Sequence, residues 1–201
     1  MSVAANKTKS GLTREAWITA AFGALMETGP KAVAVEPLAR ALGATKGSFY
    51  WHFDGREELL RCALERWESV NTDDVIARVD RDLNDPRARA RTLIDLVTGR
   101  DFRRGELDMF GSAVDPDVAA ALTRVTEARI AYVRRLLEDA GIPEGTARRR
   151  AFLAYSSYLG RMQLAYRVPA VVPQSPEERE LLAEEFTAVL FGPELPAGSE
   201  S

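Results

Sequence analysis

The segment from Thr45 to Phe53 combines hydrogen-bonding and aromatic side chains in one predicted helical stretch. At about 100° per residue, Phe49 and Phe53 share one face of that helix. The remaining faces carry the polar side chains, which are Lys46, Ser48, Tyr50 and His52. Ammonium, hydroxyl and imidazole groups donate hydrogen bonds to base edges and to phosphate oxygens. The spacing therefore predicts one buried face and one face for nucleic-acid recognition.

Two short helices are expected to position these groups. Apolar residues upstream recur at helical spacing at Val35, Leu38, Ala39 and Leu42. Gly43 then ends this helix, and Thr45 is placed to cap the next one. Two helices joined by a glycine-containing turn form a helix-turn-helix, whose second helix enters the DNA major groove with its N-terminal residues towards the bases. We therefore expect base contacts from Lys46, Gly47 and Ser48, and phosphate contacts from Tyr50 and His52.

Together with the helices on either side, this motif resembles the N-terminal domain of the tetracycline-repressor (TetR) family of bacterial transcription regulators. The resemblance runs from about Thr13 to Leu60. Its specific parts are the aromatic-rich Phe49 to Phe53 run, the Leu38 to Gly43 stretch, and the basic residue Arg56. The resemblance implies an all-α homodimer that binds a palindromic operator, usually as a repressor. It also implies release of the DNA when a small molecule binds among the C-terminal helices.

Three positions depart from the usual pattern of the family. Arg56 stands where the family usually has lysine, and it keeps the positive charge for a phosphate contact at the start of the fourth helix. Asp54 stands where proline is common, and Ala34 replaces a common hydroxyl residue, which removes one possible cap and phosphate ligand. The residues expected at the DNA interface are Thr45, Lys46, Gly47, Ser48, Tyr50, Trp51, His52 and Arg56.

The composition predicts a globular chain that stays in the cytoplasm. Of 201 residues, 46% are hydrophobic and 28% are charged, which is typical of one or two folded domains. No run of eighteen apolar residues occurs, and the first eleven residues lack an apolar signal-peptide core, so neither a membrane span nor export is expected. The net charge of −3 divides into +2 before Cys62 and −5 from Cys62 onwards. This division favours a small DNA-reading domain joined to a larger domain with another task.

Reactive side chains in an arrangement typical of an enzyme do not occur in the sequence. His52 is the single imidazole and belongs to the helix-turn-helix, and Cys62 has no second cysteine with which to form a disulfide or a metal site. No phosphate-binding loop, dinucleotide-binding motif or zinc-protease motif is present. We therefore expect no catalysis, no cofactor and no metal, and we expect Cys62 to be a small core residue.

Helical periodicity and helix breakers predict an all-α fold throughout. Helices are expected from Thr13 to about Thr28, from about Arg56 to Val79, from Pro86 to near Gly99, within Phe102 to Phe110, from Pro116 to about Ala140, from Glu144 to Arg167 and from Pro176 to Phe191. We expect four regions, which are a disordered N-terminal arm (1–12), a three-helix helix-turn-helix DNA-binding domain (13–60), a larger α-helical ligand-binding and dimerisation domain (61–191) and a flexible tail (192–201).

Large, adaptable side chains in the C-terminal domain are typical of a mostly apolar ligand pocket. The candidates are Trp67, Phe102, Met109, Phe110, Tyr155, Tyr158, Met162 and Gln163. Gln163 is included because an amide on an apolar helix face needs a hydrogen-bond partner. The alternative for each of them is an ordinary place in the protein core.

The last two helices are expected to pair with those of a second subunit as a four-helix bundle, as the family resemblance implies. The candidate interface residues are Ser156, Gly160, Leu182, Phe186, Val189 and Leu190. A two-fold DNA site requires a two-fold protein, which favours a homodimer over packing of these residues within one subunit.

These features predict a DNA-binding transcriptional regulator that responds to a small apolar or amphipathic molecule. Two alternatives stay open at this point. One is a DNA-binding regulator whose C-terminal domain serves only dimerisation. The other is a small-molecule-binding protein whose DNA-binding part is degenerate, for which Ala34 is the indication in the sequence.

Overall fold

The computed structural model describes residues 12–81, 84–98 and 104–192, and these residues form helices and connections without a strand. The α-helices are α1 (Arg14–Thr28), α2 (Val35–Ala41), α3 (Lys46–Tyr50), α4 (Arg56–Glu68), α5 (Asp74–Asp80), α6 (Pro86–Thr98), α7 (Arg104–Gly111), α8 (Pro116–Asp139), α9 (Glu144–Arg167) and α10 (Pro176–Phe191). The all-α prediction is confirmed, and the predicted bounds of α1, α8, α9 and α10 agree with the structure to about one residue.

Capping residues and prolines fix where these long helices begin. The Thr13 side chain accepts a hydrogen bond from the backbone at the start of α1, and Asp115 does the same at the start of α8. Ser175 and Glu178 form a reciprocal capping box at the start of α10. Gly141, with φ of +85°, follows the end of α8 in a conformation that favours glycine. Such local signals explain why the sequence predicted these bounds.

The first hydrophobic core joins α1, α2 and α3 to α4 and then continues into α7 and α8. The Trp17 and Phe49 rings meet edge to face, with their centroids 5.3 Å apart at the centre of this core. Trp67 from α4, Met109 from α7 and Val118 from α8 are buried in the same cluster. The core therefore continues past residue 60, where the sequence predicted a domain boundary, and packing rather than a linker connects the helix-turn-helix to the following helices.

One π-helical segment interrupts the fourth helix that the sequence predicted as continuous. α4 passes into the π-helical Ser69–Asp73, and α5 follows directly. From α8, Arg129 donates through Nε to Thr72 Oγ1 at 3.0 Å and through Nη2 to the Asn71 carbonyl at 3.0 Å. π-helical turns displace the regular backbone hydrogen bonds and are frequent at functional sites. Arg129 thus ties α8 to the widened turn.

The second hydrophobic core lies among α5, α6, α8, α9 and α10. Its buried members include Val79, Ile94, Leu136, Ala151 and Leu190. Alanines on α9 present little side chain towards α8, so the two long helices lie against each other along much of their length. Within the described residues, no helix combines the length and the apolar character needed to cross a bilayer.

Candidate nucleic-acid interface and ligand cavity

Buried aromatic rings hold α3 in place. Phe49 is fully buried, and Phe53 stacks on it with ring centroids 5.3 Å apart. The Arg14 guanidinium lies 4.8 Å from the centroid of the Phe53 ring, and Thr45 Oγ1 accepts a hydrogen bond from the Ser48 backbone at 3.2 Å. The predicted core face and the predicted cap are both confirmed, so a short helix is fixed on one side and capped at its start.

The opposite side of α3 is open to solvent. Trp51 is 87% exposed and Tyr50 is 61% exposed, whereas Ser48 is half-buried. Gly47 is exposed, and a Cβ built there would meet only Thr45 Oγ1, at 3.7 Å. Two large aromatic side chains standing in water next to hydrogen-bonding groups form a surface that is suited to a partner rather than to the core.

Lys46 forms an exposed ion pair with Glu36 from the first turn of α2. The hydrogen bond with Glu36 raises the pKa of the Lys46 ammonium, and the same bond lowers the pKa of the Glu36 carboxyl. Both groups therefore stay charged at neutral pH. A base acceptor or phosphate bound at this surface would compete with the Glu36 carboxylate for the same ammonium.

Two residues with predicted phosphate contacts bind the protein's own backbone. His52 Nε2 lies 2.7 Å from the carbonyl oxygen of Leu12, which requires the proton on Nε2 in this contact. Arg56 donates through Nε to the Val33 carbonyl at 2.8 Å and through Nη2 to the Pro30 carbonyl at 2.9 Å. Both side chains therefore have partners within the protein, because the turn before α2 and the chain before α1 pass beside them, and their phosphate contacts stay a prediction. A phosphate contact from Arg56 is left to its Nη1 group.

The start of α2 lacks the side-chain cap that α3 has. Ala34 occupies the N-cap position with an extended backbone, and no side-chain hydrogen bond closes the first turn. This confirms the loss of a cap that the sequence predicted.

A cavity of about 450 Å³ lies in the second core, between α5, α6, α8, α9 and α10. Most of its wall is apolar and includes Val75, Ile76, Leu93, Val133 and Phe186. Tyr155 and Tyr158 from the predicted ligand set line it. Their rings stack with centroids 6.0 Å apart, and the Tyr155 hydroxyl lies 3.2 Å from Thr126 Oγ1. A mostly apolar cavity with a few polar groups is the usual form of a small-molecule site.

The other candidates for the ligand site lie elsewhere. Trp67 and Met109 are buried in the first core, and Phe110 packs against it, because α7 docks on α1 rather than on the second core. Met162 is buried without lining the cavity, and Gln163 accepts a hydrogen bond from Arg167 within α9. Phe102 is outside the described residues. For these residues the sequence did not indicate which of two cores each helix face would enter.

Further polar groups at the cavity belong to residues outside the predicted ligand set. Arg129 and Tyr132 of α8 line it, together with Asn71 and Thr72 of the π-helical segment. The Tyr132 hydroxyl donates to Asp80 Oδ1 at 2.8 Å, and burial, followed by this bond, raises the pKa of Tyr132. The arginine gave no signal in the sequence because a helical arginine usually faces water.

An apolar surface is exposed along α9 and α10. Val189 is 69% exposed and Leu182 is 39% exposed, while Ser156 and Gly160 of α9 are exposed as well. Further exposed apolar residues on these helices, which the sequence analysis missed, are Phe152, Leu153, Leu164 and Leu181.

Two of the predicted interface residues face inwards instead. Leu190 is only 6% exposed, and both Leu190 and Phe186 line the cavity. On α10 these two residues are four positions apart and share the face that closes the second core, so the structure assigns them to the subunit interior.

The N-terminal part of the chain matches known regulatory proteins in sequence. A family model described as bacterial regulatory proteins, tetR family, matches residues 18–63. TtgW of Pseudomonas putida, an uncharacterised HTH-type transcriptional regulator, is 36% identical over 52 residues, which are 26% of this chain. The matched part spans 39% of the length of that relative.

Solved structures share the fold over most of the chain. NemR of E. coli in its reduced form is 18% identical with a TM-score of 0.71, and the match covers 86% of this chain and 94% of NemR. AibR, solved in complex with isovaleryl coenzyme A and operator DNA, is 20% identical with a TM-score of 0.60, and the match covers 90% of this chain and 98% of AibR. The helix-turn-helix segment of this chain thus matches the tetR family of bacterial regulatory proteins, and most of the chain shares its fold with these solved structures.

Proposed function

We propose that this chain acts as a homodimeric repressor that binds a palindromic operator through α3 and leaves it when a small molecule occupies the cavity of the second core. The observation that carries the DNA-binding part is the geometry of α3. Its buried face, anchored by Phe49, fixes an exposed face with Lys46, Gly47, Tyr50 and Trp51. A recognition helix needs this combination, because base contacts require a rigid presentation of only a few side chains.

The roles at the interface divide along the helix. Lys46 and Ser48 are assigned to base edges in the major groove, with Gly47 allowing close approach of the backbone. Tyr50 and Trp51 lie at the end of α3, where the exposed rings and the tyrosine hydroxyl suit the sugar-phosphate backbone. Thr45 caps the helix and stands at the same surface.

The cavity favours a regulator with an effector over one whose C-terminal helices serve only dimerisation. Its volume of about 450 Å³ falls in the range of about 300–1,000 Å³ that is typical of small-molecule sites. Well-packed cores leave few voids larger than a water molecule, so a cavity of this size is a feature that packing alone does not explain. AibR, a protein of the same fold, was solved with both a coenzyme A ester and operator DNA.

Coupling between the two sites is proposed to pass through the π-helical segment. Arg129 lines the cavity and holds Asn71 and Thr72 of that segment, which continues directly into α4. At its other end α4 begins with Arg56, which is bonded to the turn before α2. A ligand acts through this route only if it binds more tightly to the arrangement that does not fit DNA.

Selection of bound duplexes from a random DNA pool by the purified full chain tests this function. We expect enrichment of a two-fold symmetric sequence whose half-sites are about one helical turn, roughly 34 Å, or a multiple of it apart. A selected pool that does not differ from the input pool would overturn the proposal. Enrichment of a single asymmetric half-site would support DNA binding but contradict binding as a homodimer.

A further inference from the structure

Arg129 is a cation in the wall of an apolar cavity without an anionic partner among the described residues. Its hydrogen bonds go to the neutral hydroxyl of Thr72 and to the neutral carbonyl of Asn71. Its guanidinium carbon also lies 5.7 Å from the centroid of the Trp67 ring and 5.9 Å from that of the Tyr158 ring. The side chain is half-buried, so water screens it less than an ordinary surface arginine.

The guanidinium keeps donors for a further acceptor. It has five N–H groups, of which the bonds to Thr72 and Asn71 use two. The planar fork of arginine is suited to two parallel hydrogen bonds with a carboxylate. A partly desolvated cation is stabilised by such an anion more than by neutral groups, because direct attraction then compensates for the water that the charge has lost.

Several other polar groups in the wall are already matched within the protein. Tyr132 donates to Asp80, which lies outside the cavity wall and also pairs with Arg89 and Arg135. The Tyr155 hydroxyl is bonded to Thr126. The other charged wall residues, Asp74 and Arg78, are exposed and oppose each other in sign. Arg129 is therefore the group that gives the interior of the cavity its net positive character.

The apolar part of the cavity wall and the cavity volume indicate the character and size of the rest of the ligand. Side chains such as Val75, Ile76, Leu93 and Leu136 offer only apolar contact. At about 30 Å³ per water molecule, 450 Å³ corresponds to roughly fifteen water-sized groups. We propose that the cavity takes an amphipathic monoanion, with an apolar body of this size and one carboxylate-type head bound by Arg129. The regulatory meaning of this ligand class rests on the proposed function.

Calorimetric titration of the DNA-free chain with three ten-carbon probes tests the ligand class. Decanoate, decanol and decylamine share the apolar body and differ in the charge of the head. We expect decanoate to bind at least about tenfold more tightly than decanol, and decylamine to bind more weakly than either. Equal affinity for decanoate and decanol, or no binding of decanoate, would overturn the proposal.

A pair of variants tests whether Arg129 binds the carboxylate of the ligand. Arg129→Gln is expected to lose at least about tenfold in decanoate affinity while changing decanol affinity less than about threefold. Arg134→Gln on the same helix, where the native side chain pairs with Glu138 outside the cavity, is expected to leave both affinities unchanged. An equal loss for both probes in Arg129→Gln would overturn the assignment. If that variant does not fold, the comparison of the three probes on the native chain still decides the ligand class.

These titrations contain no DNA, so their failure is separate from failure of the proposed function. If a palindromic site is recovered but decanoate does not bind, the proposed repressor function stands and the proposed ligand class is wrong. If decanoate binds but no DNA site is recovered, the proposed ligand class stands and the proposed repressor function is wrong.

Discussion

Lys46 and Glu36 form an ion pair whose two members have opposite relations to DNA. The ammonium attracts base acceptors and phosphates, whereas the carboxylate repels them. In the free protein both side chains are exposed, so water and salt screen the pair and it contributes little to stability. Separating the pair is therefore inexpensive, and Glu36 does not withhold Lys46 from a bound nucleic acid.

Replacement of Lys46 tests its role as a base reader. Lys46→Ala is expected to lose about 1–3 kcal/mol of binding free energy at the selected operator and to relax the base preference there. Fluorescence anisotropy with the operator and its single-base variants measures both effects. Glu36→Gln is the matched control, because it removes the same ion pair and keeps Lys46, so DNA binding should not weaken. Uniform weakening over all sequences in Lys46→Ala would identify a phosphate contact instead.

Arg56 is expected to support the fold of the DNA-binding domain. Arg56→Ala removes charge-assisted hydrogen bonds to the Val33 and Pro30 carbonyls and should lower the free energy of unfolding by about 1.5–3 kcal/mol. Urea denaturation measures this loss. Arg40→Ala, on the exposed side of α2, should change stability by less than about 0.5 kcal/mol. Unchanged stability together with a shallower salt dependence of DNA binding would return Arg56 to the phosphate contacts.

Residue roles were predictable where one helix determines them. Phe49 and Phe53 are buried and Trp51 is exposed, as helical spacing alone predicts. The partners of His52 and Arg56 lie 40 and at least 23 positions away in the sequence, so their backbone contacts depend on how the helices pack. Periodicity within one helix carries no information about such contacts.

At the scale of elements, α7 extends the first core by lying against the end of α1. Gly105 makes this close approach possible. A Cβ at this position would lie 1.9 Å from the carbonyl oxygen of Leu25 and 2.7 Å from the backbone of Met26. Both neighbours are backbone atoms of α1, so they cannot move away as a flexible side chain would.

Gly105→Ala is therefore expected to push α7 away from α1 and to lower the free energy of unfolding by about 1–3 kcal/mol or more. Thermal and urea unfolding measure the effect. Gly111→Ala in the same helix is the matched control, because no atom lies within 4 Å of its added Cβ, and no loss of stability is expected. If both variants were equally stable, α7 would not be held by this contact.

Element bounds were predictable where caps and breakers stand in the sequence, as at Asp115 and Ser175. The π-helical segment was not predictable, because Ser69–Asp73 carries no glycine or proline and continues the helical pattern on both sides. The residue that holds it, Arg129, donates to it from α8, far along the chain. A local sequence pattern carries no information about a contact between segments that are far apart in the chain.

At the scale of the whole molecule, the proposed homodimer would bury the exposed apolar residues of α9 and α10 against a second subunit. Val189→Arg places a charge within this surface and should convert the dimer to a monomer and weaken operator binding at least about tenfold, because two half-sites are then no longer bound together. Sedimentation and operator titration measure the two effects. Val114→Arg is the control, since Val114 is 94% exposed in the turn between α7 and α8. A dimer that survives Val189→Arg would place the interface elsewhere.

The two-core architecture explains which parts of the ligand site escaped sequence-based prediction. Met109 and Tyr155 are similarly apolar and buried, yet Met109 belongs to the first core and Tyr155 lines the cavity of the second. Composition identified side chains able to form a pocket, while the choice between cores depends on the docking of α7. The role of Arg129 was not predictable, because its surroundings are formed by the packing of α8 against the π-helical segment.

Operator affinity with and without a cavity ligand tests most directly whether the second core controls α3. In anisotropy titrations of the selected operator, saturating decanoate should weaken binding of the native chain at least about tenfold, and the Arg129→Gln variant should need at least about tenfold more decanoate for its response. By linkage, operator DNA should weaken decanoate binding to the native chain by the same factor. Equal operator affinity with and without saturating decanoate would contradict the account.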